Sequence, residues 1–143
     1  MIPLETTEQP RLAHTMLRVR DLEKSLHFYV TLLGMRVLRR TDYPEGRFTN
    51  TFIGYGAEQR FPAIELTCNW DRHEPYDKGD GFGHIAFEVS NVAEFCERLV
   101  SGGARMVRPP GPMRHGTRVI AFLEDPDGYK VEISEPAAEE RSK

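Results

Sequence analysis

Short apolar runs separated by polar turns dominate the sequence, and the same succession of runs occurs twice. The first run begins with His14 and the second with His84, 70 residues later. Each run leads into an amphipathic helix pattern, which begins after Asp21 in the first copy and after Asn91 in the second. Three further strand patterns follow each helix, so the sequence predicts an α+β fold of two tandem β-α-β-β-β modules. The predicted strands cover 13–20, 35–40, 48–55 and the segment around residue 65 in the first copy, and 84–89, 105–108, 118–123 and 129–134 in the second.

Capping and turn residues set the boundaries of these elements. Asp21 and Asn91 are good helix N-caps, because their side chains can accept a hydrogen bond from the first turn. Gly34 is expected to end the first helix, and the glycine pair 102–103 the second. The segment 125–128, Asp-Pro-Asp-Gly, has proline and glycine where a type I turn favours them.

The composition of the connecting segments predicts how the modules are separated. The region between the two copies is polar and rich in glycine, which is typical of a linker. Both ends of the chain are polar and are expected to be flexible. The predicted organisation is a flexible N-terminal segment at 1–10, a first module at 11–72, a linker at 73–83, a second module at 84–135 and a flexible tail at 136–143.

Overall composition excludes several classes of protein. The chain has 143 residues and 39% hydrophobic content, enough for one compact domain with a core. No apolar run approaches the roughly 20 residues of a membrane span, and no export signal opens the sequence. The net charge of −3 argues against a nucleic-acid surface. Cys68 and Cys96 lack the spacing of metal ligands and are expected to be reduced thiols in a cytoplasmic protein.

Two histidine–glutamate pairs recur at nearly equal spacing. His14 precedes Glu65 by 51 residues, and His84 precedes Glu132 by 48. A single histidine at a strand start is more often a satisfied core or capping residue. A glutamate in an apolar strand is harder to explain in that way, because a buried carboxylate is costly unless it is paired or binds a metal. The recurrence of the pair therefore favours one metal site with these four ligands.

The ligand types restrict the metal and its chemistry. Two imidazoles and two carboxylates without a thiolate suit a divalent first-row metal with open positions, and zinc, nickel and cobalt all accept such a set. A ligand carboxylate could also remove a proton next to a carbonyl, so the residues alone indicate metal-assisted proton transfer. The other three histidines, His27, His73 and His115, are expected to be exposed.

Several sequence runs resemble the glyoxalase I family of the vicinal oxygen chelate superfamily. The resemblance covers about residues 11–135 and fills all four ligand positions of the family. It implies the paired β-α-β-β-β fold with curled mixed sheets. It also implies conversion of the hemithioacetal of methylglyoxal and glutathione to S-D-lactoylglutathione. The runs that carry it are His14-Thr-Met-Leu-Arg-Val19, Ser25-Leu-His-Phe-Tyr29, Leu33-Gly-Met35, Glu65-Leu-Thr-Cys-Asn-Trp70, Gly83-His-Ile-Ala86 and Ala121-Phe-Leu-Glu-Asp-Pro-Asp-Gly-Tyr-Lys-Val-Glu-Ile133.

The resemblance also implies roles for individual residues. Glu132 matches the main proton-transferring base, and Glu65 matches the other metal carboxylate. Arg18 and Asn69 match positions that hold the glutathione moiety, and a guanidinium suits a carboxylate because its fork binds both oxygens. The short chain resembles the bacterial forms that are activated by Ni²⁺ or Co²⁺ rather than Zn²⁺.

The resemblance further implies a homodimer whose active sites lie at the subunit interface. His14 and Glu65 of one subunit would then face His84 and Glu132 of the other. One departure from the family concerns glutathione binding. Where some members carry an arginine, this chain has Asp80 with Lys78 nearby, and Arg118 is a candidate to compensate.

Two alternatives remain open from the sequence. Superfamily relatives that cleave diols or open epoxides use two histidines and one glutamate, in which case Glu65 would be idle. Metal-free relatives that sequester small molecules usually lack the ligand set, so the four ligand positions count against such a role.

Overall fold

The computed structural model describes residues 9–136, and these fold into eight strands and two helical segments. The predicted flexible ends, 1–10 and 136–143, fall outside the described residues except for residues 9, 10 and 136. The first module contains β1 (His14–Arg18), α1 (Leu22–Leu26) with a π-helical turn (His27–Leu32), β2 (Arg36–Tyr43), β3 (Phe48–Gly54) and β4 (Ala63–Asn69). The second module contains β5 (Ile85–Glu88), α2 (Val92–Ser101), β6 (Arg105–Pro112), β7 (Val119–Glu124) and β8 (Lys130–Ser134).

Each module forms an open, four-stranded mixed sheet with the same strand order. The orders are β1-β4-β3-β2 and β5-β8-β7-β6. The first strand of each module pairs in parallel with the last, and the remaining pairs are antiparallel. The prediction of two β-α-β-β-β modules is therefore confirmed.

The helix of the first module differs from the regular α-helix that the sequence predicts. Asp21 caps it by accepting a hydrogen bond from the Lys24 amide at 3.1 Å, as expected. After α1 the chain widens into the π-helical turn, in which the Leu33 amide bonds to the carbonyl oxygen of Phe28, five residues earlier. This turn brings the adjacent Phe28 and Tyr29 side chains into the core together, which a spacing argument based on 3.6 residues per turn does not anticipate.

The predicted strand at 105–108 is too short, because β6 continues to Pro112. β6 lies at the edge of its sheet. Pro109 and Pro110 have no amide hydrogen to donate, and at this edge their absence leaves no carbonyl oxygen inside the sheet without a donor. The register of β6 against β7 shifts twice, once on each side of Arg108.

The two modules share one hydrophobic core and a buried polar contact. Tyr29 of the first module donates a hydrogen bond to Asp125 Oδ2 in the β7–β8 turn, at 2.7 Å. Tyr129, just after that turn, donates to the Arg18 carbonyl oxygen at 2.9 Å, and Arg20 forms an ion pair with Asp127 at 3.2 Å. Burial raises the pKa of Asp125 to about 6, against the opposing hydrogen bonds from Tyr29 and the turn amides. These bonds fix the turn of the second module against the helix of the first.

Cys68 and Cys96 are both free thiols, as predicted. No helix in the part of the chain that the structure describes is long and apolar enough to cross a membrane.

Candidate metal centre

The first histidine–glutamate pair comes together on one face of the first sheet. The parallel register of β1 and β4 places Met16 opposite Glu65, so His14 lies one pleat away on the same face. His14 Nε2 is 3.3 Å from Glu65 Oε1. The imidazole is 42% exposed, whereas the carboxylate is only 15% exposed. The pair therefore combines an accessible imidazole nitrogen with an oxygen of a mostly shielded carboxylate.

The second pair repeats this geometry. Ala86 lies opposite Glu132 in the parallel register of β5 and β8, and His84 precedes Ala86 by two residues. His84 Nε2 is 3.0 Å from Glu132 Oε2, with side-chain exposures of 42% and 17%. Equal sheet registers thus account for equal ligand geometry, although the chain between the ligands differs by three residues.

A phenylalanine contacts each histidine, and neither phenylalanine was predicted from the sequence. Phe52 lies opposite Glu65 in the β3–β4 register, and its ring meets the His14 ring edge-on at 5.2 Å. Phe122 contacts the His84 ring in the same way, also at 5.2 Å. The signal that could have revealed them is their separation of 70 residues, the same as that of the two histidines.

The donor chemistry of each pair fits half of a divalent metal site. An imidazole nitrogen and a carboxylate oxygen that already lie within 3.3 Å of each other can bind one ion together. Among residues 9–136, however, no three His, Cys, Asp or Glu side chains are grouped so that they could hold a metal. The two pairs are therefore separate within the described residues, and we refer to them as half-site 1 (His14 and Glu65) and half-site 2 (His84 and Glu132).

Comparison with known proteins identifies the family. The sequence model of the Glyoxalase/Bleomycin resistance protein/Dioxygenase superfamily matches residues 11–133. The chain belongs to this superfamily. A lactoylglutathione lyase of Neisseria meningitidis is 61% identical over 86% of this chain and 88% of its own length.

Solved structures of superfamily members have the same fold. Glyoxalase I from Zea mays superposes with a TM-score of 0.83 at 40% identity over 88% of this chain, which spans only 47% of the maize chain. The glyoxalase I of Leishmania major, described as trypanothione-dependent, superposes with a TM-score of 0.80 at 35% identity, covering 94% of this chain and 92% of its own.

The residues predicted to hold glutathione lie at the ends of strands. Arg18 is exposed at the end of β1, and strand alternation places it on the face that carries His14. Asn69 ends β4 on the same face, and its amide donates to the Tyr76 hydroxyl at 3.3 Å. Arg118 is half-buried just before β7, and its carbonyl oxygen accepts a hydrogen bond from the Met113 amide.

Lys78, the basic residue near Asp80, already forms hydrogen bonds within the protein. Lys78 Nζ donates to the carbonyl oxygens of Tyr76 and Asp127, at 3.2 and 2.9 Å. It therefore joins the linker to the β7–β8 turn, while Asp80 is exposed.

The remaining histidines are exposed, as predicted. His73 and His115 lie in loops. His27 has a structural contact that the sequence did not predict, because its Nε2 lies 3.0 Å from the Gly102 carbonyl oxygen at the end of α2. None of the three lies in a half-site.

Proposed function

We propose that this protein is a metal-dependent lactoylglutathione lyase that isomerises the hemithioacetal of methylglyoxal and glutathione to S-D-lactoylglutathione. The observation that carries the proposal is the pair of half-sites, each with an imidazole and a carboxylate at 3.0–3.3 Å on the same face of its module. The 61% identity to a lactoylglutathione lyase supports the same reaction.

His14, Glu65, His84 and Glu132 would hold the metal. When bound, a divalent metal acts as a Lewis acid that stabilises negative charge on neighbouring substrate oxygens. Glu132 is the proposed base. It takes the proton from the carbon that carries the sulfur and the hydroxyl group, and a proton is then delivered to the adjacent carbon that began as the carbonyl. The hydroxyl proton of the first carbon moves to the former carbonyl oxygen, which leaves a thioester carbonyl group at the first carbon. Every proton removed is therefore returned, and no external oxidant or reductant is required.

Glu65 is the second proposed catalytic carboxylate, with metal binding as its main task. Both carboxylates are shielded while their histidines remain accessible, so each glutamate can approach a bound substrate without being fully hydrated.

The complete site is proposed to lie between two chains of a homodimer. The two half-sites do not group together among the described residues, and a second copy of the chain would complete a four-ligand site. β1, which begins with His14, and β5, which directly follows His84, are both sheet-edge strands. A mostly apolar cavity of about 620 Å³ runs beside them. Leu12 and Tyr55 line this cavity and are 71% and 53% exposed, which suits a surface that a partner covers. A two-fold dimer would then have two equivalent sites.

Arg18, Asn69 and Arg118 are the proposed contacts of the glutathione moiety. Two guanidinium groups suit the two carboxylates of the tripeptide, because each fork can bind both oxygens of a carboxylate. The Arg18 side chain is exposed at its strand end and available for such a contact. The protein is proposed to act in the cytoplasm, where glutathione is kept reduced.

The proposed reaction is tested by reconstituting metal-free protein with Ni²⁺, Co²⁺ or Zn²⁺ and following the thioester product from methylglyoxal and glutathione. We expect turnover with Ni²⁺ or Co²⁺ to exceed turnover with Zn²⁺, and metal affinity is measured separately from activity. Absence of thioester with every metal would refute the function, and zinc activity equal to nickel activity would refute the metal preference alone.

Two alternatives are separated by simple variants. A three-ligand enzyme of the same superfamily would tolerate Glu65→Gln with little loss of metal or activity, whereas the proposed lyase should lose both. A metal-free binding protein would show no stoichiometric divalent metal in elemental analysis of the purified protein.

A further inference from the structure

On each sheet, an arginine is aligned across the strands with the glutamate of the half-site. The aligned positions on the first sheet are Met16 on β1, Glu65 on β4, Phe52 on β3 and Arg39 on β2. The aligned positions on the second sheet are Ala86, Glu132, Phe122 and Arg108 on β5, β8, β7 and β6. The glutamate, phenylalanine and arginine thus recur in the same order, but the two arginines are used differently.

In the first module, one phenylalanine ring contacts both the arginine and the histidine. The guanidinium carbon of Arg39 lies 3.7 Å from the centroid of the Phe52 ring. The same ring meets His14 edge-on at 5.2 Å. Phe52 is only 6% exposed, so the arginine covers a ring that has little freedom to move. A cation at this distance from a ring face attracts it directly.

A carboxylate in the β3–β4 turn fixes the arginine in this position. Arg39 Nε donates to Glu58 Oε2 at 2.8 Å, and Arg39 Nη2 donates to Glu58 Oε1 at 3.2 Å. Two parallel bonds between a guanidinium and a carboxylate define its orientation as well as its position. Glu58, Arg39, Phe52 and His14 therefore form a continuous series of contacts that ends at a proposed metal ligand.

The second module lacks this series. Arg108 donates instead to the carbonyl oxygens of Gly111, Ile120 and Pro112, at 3.4, 3.1 and 2.6 Å. These carbonyl groups are available because the β6–β7 register shifts between Arg108 and Gly111. None of the cation–ring contacts in residues 9–136 involves Phe122.

We propose that Arg39 is a positioning residue for half-site 1, an inference that rests on the proposed metal-binding role of His14. Arg39 restrains Phe52, and Phe52 restrains the His14 ring in the orientation that points its Nε2 toward Glu65. A ligand that is already oriented loses less conformational entropy when the metal binds. Half-site 2 depends on Phe122 alone and lacks the cation.

Metal affinity is the quantity that this role changes. Residues that orient a metal ligand without binding the metal typically change its affinity by about 10- to 100-fold. Because Arg39 acts through a ring rather than through a direct hydrogen bond to the imidazole, we expect the lower end of that range, about tenfold.

The test compares Arg39→Met with a matched control, Arg47→Met, in the full-length protein. Arg47 also forms two bonds to a carboxylate, Asp71, at 2.6 and 2.8 Å, and also lies over an aromatic ring, Trp70, at 5.6 Å. Neither Asp71 nor Trp70 contacts a half-site histidine among the contacts of the described residues. Calorimetric titration of the metal-free proteins with Ni²⁺ gives the dissociation constants without relying on activity.

We expect Arg39→Met to bind Ni²⁺ about tenfold more weakly than the wild-type protein, and Arg47→Met to bind it within about twofold. Arg39→Lys keeps a cation near Phe52 and should recover part of the affinity. Equal Ni²⁺ affinity in Arg39→Met and wild-type protein, or equal losses in Arg39→Met and Arg47→Met, would overturn the proposal.

A second variant covers the case in which Arg39→Met does not fold. Glu58→Gln leaves Arg39 in place and removes only its charged partner, so Ni²⁺ affinity should fall by about two- to fivefold. Unchanged affinity in that variant also overturns the role of Arg39. Failure of the wild-type protein to bind Ni²⁺ would instead remove the proposed function and this inference with it, so the two failures are distinguishable.

Discussion

Half-site 1 and half-site 2 agree in their proposed ligands and in the phenylalanine beside each histidine, and they differ in the elements around them. The histidine–glutamate distances are 3.3 and 3.0 Å, and each histidine has a phenylalanine at 5.2 Å. In contrast, the first module has a π-helical turn, while the second has a regular α-helix and a doubly bulged edge strand. Equal strand register therefore accompanies equal histidine–glutamate geometry even where the helix and the edge strand differ, because the pairing of strands fixes which side chains share one face of a sheet.

The modules also differ in how they contribute to the shared core. The β7–β8 turn carries Asp125 and Asp127, both buried. Asp125 accepts a hydrogen bond from Tyr29 in the helix of the first module, and Asp127 accepts one from the Arg20 amide just before that helix. The corresponding β3–β4 turn carries Glu58, which instead holds Arg39 at the surface. The β7–β8 turn therefore joins the two modules, whereas the β3–β4 turn holds the arginine proposed to position half-site 1.

The largest expected effect is on turnover, and it should differ between variants of the two glutamates. Glu132→Gln keeps a ligating oxygen but removes the basicity that proton abstraction needs, so turnover should fall by about 10²- to 10⁴-fold even at saturating metal. Glu65→Gln should reduce turnover only as far as it reduces bound metal. Steady-state rates and metal content are measured on the same samples. Near-normal turnover of Glu132→Gln at saturating metal would exclude Glu132 as the base.

A smaller effect concerns the turn that joins the modules. Since burial raises the pKa of Asp125 to about 6, the folded protein binds more protons than the unfolded chain between about pH 4 and pH 6. The contribution of this carboxyl to the free energy of unfolding is fully present below about pH 4 and is lost as the pH rises through 6. The loss should amount to about 2–3 kcal/mol.

Asp125→Asn removes this titration and is the variant that checks it. Denaturant unfolding of both proteins across this pH range gives the difference in their pH dependence, which cancels the contributions of the other carboxylates. Parallel curves for the two proteins would show that Asp125 titrates in the folded state as it does in the unfolded chain.

The smallest expected effect compares the two helix caps. Asp21 accepts a hydrogen bond from the Lys24 amide at 3.1 Å, and Asn91 accepts one from the Glu94 amide at 3.0 Å. Replacing either cap by alanine should therefore lower the free energy of unfolding by about 1 kcal/mol. Thermal or denaturant unfolding measures both variants. A much larger loss for Asp21→Ala would show that the π-helical turn depends on its cap more than the regular helix does.

The sequence predicts the features that follow from local periodicity. The strand pattern, both N-caps and the histidine–glutamate pairs were all recognisable, because each depends on spacing along the chain. The π-helical turn at His27–Leu32 was not predicted, since it accompanies the burial of two adjacent residues, Phe28 and Tyr29, in a core built by both modules. The contact between Tyr29 and Asp125 joins residues 96 positions apart and has no local signal.

The supporting residues of the half-sites were missed for a related reason. Phe52 and Arg39 become neighbours of the ligands only through the pairing of β2 with β3 and of β3 with β4. The extent of β6 was underestimated because Pro109 and Pro110 normally end a strand, and only its edge position allows them.

The measurement that tests the shared site most directly mixes two inactive variants. His14→Ala damages half-site 1 and Glu132→Gln damages half-site 2, so each variant alone has lesions in both sites of its dimer. Random co-refolding makes half of the dimers mixed, and in a mixed dimer one site receives both lesions and the other receives none. Activity should return to about a quarter of the wild-type value, because about a quarter of all sites are intact. A mixture that is no more active than its parents, with mixed dimers verified by mass, would contradict the shared site.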